Sequence, residues 1–134
     1  MATAAVSYAN SVLDAALAAI TTSGSTIVLL SDSADAFDIG SDTPTSYATV
    51  LGASLGTASI SYGAAGDGDV SGRKVVATPA EGTASATGTA SAYAITNGTD
   101  TVYAIGDLTD QVVTSGNSFT IDPFDIEFTD PIAG

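Results

Sequence analysis

Two cations stand side by side in this chain, Arg73 and Lys74, against fifteen Asp and Glu, and there is no histidine or cysteine. The chemistry open to such a set is narrow. Without His the commonest general base and metal ligand is missing. Without Cys there is no thiol nucleophile, disulfide or zinc–thiolate site. A pair of carboxylates could in principle cleave a glycosidic bond. The acids here are scattered through turn-rich stretches, however, and few aromatics are available to line a sugar groove. No residue is assigned a catalytic role, no cofactor is called for, and the chain is expected not to be an enzyme.

Three acidic groupings raise calcium: Asp32, Asp35 and Asp38; Asp67 and Asp69; Asp107 and Asp110. Calcium takes six to eight oxygens from a pre-arranged loop, and the helical calcium loop closes with a Glu at its twelfth position. No such Glu follows any of the three. Solvated loops in which Asp serves turn geometry are the simpler expectation. The Asn97-Gly98-Thr99 triplet matches a glycosylation acceptor, but an Asn-Gly pair is also what a tight hairpin asks for.

Arg73 and Lys74 sit in a strand-like stretch, where adjacent side chains point to opposite faces. They therefore cannot form one patch. Either each neutralises nearby carboxylates such as Asp67, Asp69 or Glu81, at little net energy, or one of them anchors the chain to an acidic neighbour or to a neighbouring copy of itself. Arg73 is the better anchor, because its planar fork pairs bidentately with a carboxylate. Both readings stay open.

The elements that must position these residues follow from periodicity. Residues 4–20, AAVSYANSVLDAALAAI, place Val6, Leu13, Leu17 and Ile20 at helical spacing among alanines, and Gly24 is expected to cap the end in a left-handed conformation. This helix is bland on all sides, so Val6, Leu13 and Leu17 are candidates for an interface as well as for the core. Residues 25–32 form a continuous apolar run and predict a buried central strand, with a short buried helix as the second option. Residues 33–46 read as an acidic loop with at most a short edge strand around Phe37 to Ile39, and 47–54 are ambiguous. In 56–63, Ala58, Ile60 and Tyr62 fall on one face. Further strands are predicted over 73–80, through the small-residue tract 82–92 into Tyr93 and Ile95, and after the Asn97-Gly98 turn. At the end Phe119 and Ile121 share one face, and Phe124, Ile126 and Phe128 another, with Pro123 breaking the phase. The whole predicts a mainly β chain. It is a single antiparallel β-sandwich or barrel-like domain over 1–134, with one N-terminal α-helix and a β-domain over about 25–130.

Composition limits the partners. The net charge of −13 repels nucleic acid and anionic lipid, so neither is expected as a partner. No apolar run approaches the roughly 20 residues of a membrane span, and the N-terminus does not read as a secretion signal. Charged residues are only 13 %, so the surface must be largely Ser, Thr, Gly and Ala, which suits close packing against neighbours.

The order of these pieces resembles a known family. The helix with SVLDAALAAI, then IVLLSD, then TASATGTASAYAIT and the ending SGNSFTIDPFDIEF are similar to the capsid decoration, or cement, proteins of tailed bacteriophages. The resemblance implies a structural virion protein on the capsid exterior, assembled in the host cytoplasm. It would bridge subunits of the major capsid protein and associate with itself as a homotrimer. A tail, neck or head-fibre component, or a carbohydrate- or calcium-dependent adhesion module, would share the same composition.

Overall fold

A computed structural model describes residues 7–37, 39 and 44–129. The chain is mainly β: one antiparallel sheet, curled into a half-barrel, with one helix at its N-terminal end. The order of elements is α1 (Asn10–Thr21), β1 (Thr26–Leu30), a 3-10 turn at Ala34–Ala36, α2 (Pro44–Gly52), β2 (Ser54–Tyr62), β3 (Gly66–Asp67), β4 (Arg73–Pro79), β5 (Gly82–Ala84), β6 (Gly88–Thr96), β7 (Val102–Val113), β8 (Ser118–Phe119) and β9 (Phe124–Phe128).

The hydrogen-bonded path runs from β9 through β4, β2, β1 and β6 to β7. β1 is central because it is apolar on both faces. Ile27 and Leu29 pack into one cluster with Ile20, Ile60 and Ile95, while Val28 and Leu30 pack into another with Tyr47 and Val50. That explains why this strand reads as a continuous run and its neighbour β2 as an alternation. In β2, Ala58 and Ile60 are buried and Thr57, Ser59 and Ser61 exposed.

The ambiguous stretch becomes α2, which buries Tyr47 and Val50 over the second cluster. No edge strand forms at Phe37 or Ile39; both pack against that cluster as irregular chain. The small-residue tract is not one strand. It breaks at residues 85–87, so that β5 pairs with β2 and β8 while β6 continues in the main path.

The N-terminal helix starts later than its periodicity suggested. Ala9 is extended and offers no side-chain cap, and the helix begins at Asn10. Val6 lies outside the described residues. The expected left-handed cap at Gly24 is also corrected: Gly24 is needed for close approach. Its N–H donates to the Ile20 carbonyl at 2.6 Å, and a Cβ there would stand 2.7 Å from the Ile95 side chain. The Tyr62 hydroxyl donates to the Gly24 carbonyl at 2.6 Å, fixing the exit of the helix to β2.

That bond has a consequence at high pH. Burial pushes the Tyr62 phenol from 10.0 up to about 12. Between those values the unfolded chain releases the proton and the folded chain holds it, so stability falls as pH rises through this window. Lys74 acts in the same direction. Its pKa is raised, first by hydrogen bonding to Asp69 and then to Asp125, so its contribution is complete below about 10.4 and is lost as pH rises through the folded value. Tyr62→Phe removes the phenol titration and also the bond to Gly24. It should lower stability by about 1 kcal/mol at neutral pH and flatten the decline above pH 10. Urea melts at stepped pH, with phenolate absorbance as the titration signal, measure both effects.

Candidate functional site

The two cations sit at the start of β4, and strand alternation divides them as expected. Arg73 shares a face with the buried Val75 and Ala77 and points toward α1, whereas Lys74 shares its face with the exposed Val76. On the inner face Arg73 donates from Nε to Asp14 of α1 at 2.8 Å and from Nη1 to Asp67 of β3, also at 2.8 Å. Nη2 reaches the second Asp14 oxygen and the Ala65 carbonyl at 3.4 Å. Asp67 is its register partner across the β3–β4 ladder. On the outer face Lys74 donates to Asp69 at 2.5 Å and to Asp125 of β9 at 3.2 Å. Glu127, directly opposite Lys74, accepts the Asp69 N–H at 3.0 Å and so fixes the loop that holds Asp69.

This is the local-neutralisation geometry, with two partners the sequence did not offer. Asp14 lies fifty-nine residues from Arg73 and Asp125 fifty-one from Lys74, so no local reading could pair them. The Arg73 side chain is only 17 % exposed. To bind a second chain it would first have to release α1. Leu13 and Leu17 are likewise not docking surface: they are 7 % and 1 % exposed, because α1 lies against β4 and β9. Apolar exposure near this helix falls instead on Tyr8 and Val12.

Arg73 therefore works as a clamp between helix and sheet. Arg73→Gln and Asp14→Asn should each lower the melting temperature and reduce amide protection along α1, leaving β6 and β7 protected. The double variant should be hardly worse than Arg73→Gln alone, since that change already deletes the Asp14 bond together with the one to Asp67. Additive losses would mean that the bond does not couple helix to strand.

The acidic groupings have structural work to do. Asp67 and Asp69 hold the two cations, and Asp107 accepts the Ala34 N–H at 2.9 Å, tying the 3-10 turn to β7. Among the described residues no three acidic side chains are grouped to hold a metal ion. Asp38 lies outside the described residues. The Asn97 amide is spent on its turn: its oxygen accepts the N–H groups of Thr99, Asp100 and Thr101, and its nitrogen donates to Asp100. Gly98 takes φ +78°, the left-handed conformation. The hairpin is thus wider than a two-residue turn, closing at Thr96 and Val102.

A second feature was not visible in the sequence. The two ends of the sheet path, β7 and β9, face each other across an open groove of about 560 Å³. This is the unclosed seam of the half-barrel. Residues 107–109 and Gln111 of β7 line one side, and 120–125 line the other. Tyr93 of β6 and Phe124 of β9 meet inside it, ring centroids 4.7 Å apart and tilted by 44°. Side-chain contact spans the gap where backbone pairing stops. The register of β7 against β6 slips between Ala90 and Ala92, so that the chain around Leu108 to Asp110 bulges at the groove. The one clue in the sequence was Pro123, which shifts the phase just before Phe124.

No protein-family model, curated protein or solved structure matches the chain.

Proposed function

We propose that the chain is a structural virion protein that decorates a phage capsid and bridges neighbouring major capsid subunits on its outer surface. The observation that carries this reading is the unclosed half-barrel. The antiparallel sheet ends in two facing strands with a tilted aromatic pair between them. Surface of that kind, concave and partly apolar, suits a docked neighbour. The charge pattern agrees. Both cations are held by the chain's own carboxylates, so its outside is acidic and the complementary charge must come from the partner.

Self-association, as the homotrimer that the family resemblance implies, would use Tyr8 and Val12 beside the start of α1, 48 % and 55 % exposed, rather than the buried Leu13 and Leu17. Light scattering on the purified chain should give three times the 13.1 kDa protomer mass, and Val12→Asp should reduce it to one. The function itself is tested on particles. A reconstruction should place the protein in many copies arrayed over the head at or near three-fold positions. Copies confined to one vertex or to the tail would replace this reading with a neck, tail or fibre component. Melting that shifts upward with calcium would favour an adhesion module.

A further inference from the structure

The seam between β7 and β9 has a shape and a charge, and together they select an occupant. Its interior carries the rings of Tyr93 and Phe124, and its rim carries Asp107, Asp122 and Asp125 with no lining cation. Among the described residues the Tyr93 hydroxyl makes no hydrogen bond within the chain, and the residue is half-buried, so the hydroxyl is open to solvent. Two candidate occupants fail on these facts. A second copy of this chain brings −13 of its own against an acidic rim, and its two cations are already paired. An added strand needs a regular ladder edge, and β7 bulges at Leu108 to Asp110 where it borders the groove.

What fits is a cation with a flat face. We propose that the seam receives an arginine side chain projected by the partner protein, its guanidinium against the Tyr93 and Phe124 rings and paired with the Asp122 carboxylate. Guanidinium stacks on aromatic faces and bonds carboxylate in the same plane, and it is weakly hydrated for a cation, so it enters a half-buried groove at low cost. Asp122 is the carboxylate free for this role. Asp107 already holds the Ala34 N–H and Asp125 holds Lys74. The inference rests on the docking function proposed above and names the chemistry of its partner.

The test uses the full chain and a capped Gly-Arg-Gly peptide as probe. A citrulline peptide, equal in shape and neutral, serves as control. In a nitrogen–proton NMR titration the arginine peptide should shift the amides of residues 93, 107–111 and 120–125 saturably, and binding should weaken as salt rises. The citrulline peptide should leave them in place. Asp122→Asn, an exposed change that leaves the core intact, should weaken arginine binding by about tenfold. Phe124→Leu should weaken it further while the fold persists by far-UV dichroism. The proposal is overturned if citrulline binds as well as arginine, or if shifts spread over all the surface carboxylates. It is overturned equally if Asp122→Asn binds as the parent does, or if maltose rather than the arginine peptide moves the seam. The peptide titration reports on the seam alone and the particle reconstruction on capsid docking, so either can fail without the other.

Discussion

Replacing Gly72 by alanine is expected to cost about 3 kcal/mol or more and to detach β9 from the sheet. Gly72 sits at φ +75°, just before β4. An L-residue held in that conformation costs about 1–2 kcal/mol by itself. The new methyl would also run into the Phe128 carbonyl and stand 2.8 Å from the Thr129 Cα. Both obstacles are backbone, so no side-chain rotation relieves them. Only a shift of the strand does, and it would carry the pairing of Arg73 with Phe128 and of Val75 with Ile126 along with it. Against a total stability of about 5–15 kcal/mol for a native domain, that is a large fraction. Gly66→Ala, whose methyl meets nothing within 4 Å, is the matched control. Chemical denaturation gives the energies, and hydrogen exchange should show β9 opening first in the Gly72 variant. An unchanged midpoint would mean that the turn at Gly72 relaxes without strain.

Leu17→Ala is expected to cost about 2–5 kcal/mol, the range for emptying a sealed leucine site. Leu17 is 1 % exposed on the face of α1 that meets the sheet, so its removal leaves a cavity there. Val12→Ala on the opposite side, at a residue 55 % exposed, should stay within about 0.5 kcal/mol. The pair separates two roles for the helix. A core role lowers stability at Leu17 and leaves association untouched; an interface role does the reverse. Denaturation midpoints and light scattering on both variants decide it.

How far these features could be read from residues alone depends on range. Ala58, Ile60 and Tyr62 alternate within one strand, and the Asn97-Gly98 signal acts within its own turn, so both were legible. The buried β1 was legible because four consecutive apolar residues leave no polar face. α2 was not, since Pro44 to Gly52 mixes helix and strand formers and its burial is decided by Val28 and Leu30 beneath it. The break at residues 85–87 was hidden because Ser, Ala and Thr alternate equally well through a strand and through a bend. Of the two partners of Arg73, Asp67 lies close in sequence and could be read from it. The other, Asp14, is set by how α1 crosses β4, which no spacing in the sequence encodes. The seam exists only once β7 and β9 are brought face to face.

The ladder that centres β1 also dictates an order of events as the chain is made. Thr26 to Leu30 pair on one side with residues 54–59 and on the other with 92–96. β4 likewise waits for 124–128. Contacts this distant in sequence form slowly, because a long loop must close before any pairing is gained. The β6–β7 hairpin, closed by the short 97–101 turn, is the one extensive pairing that can form at once. During synthesis at about 5–20 residues per second, β1 therefore stands with one apolar edge open until residue 96 has left the ribosome. The chain's surplus of carboxylates then has a use unrelated to any finished surface: it keeps half-made copies apart while their central strand is still exposed.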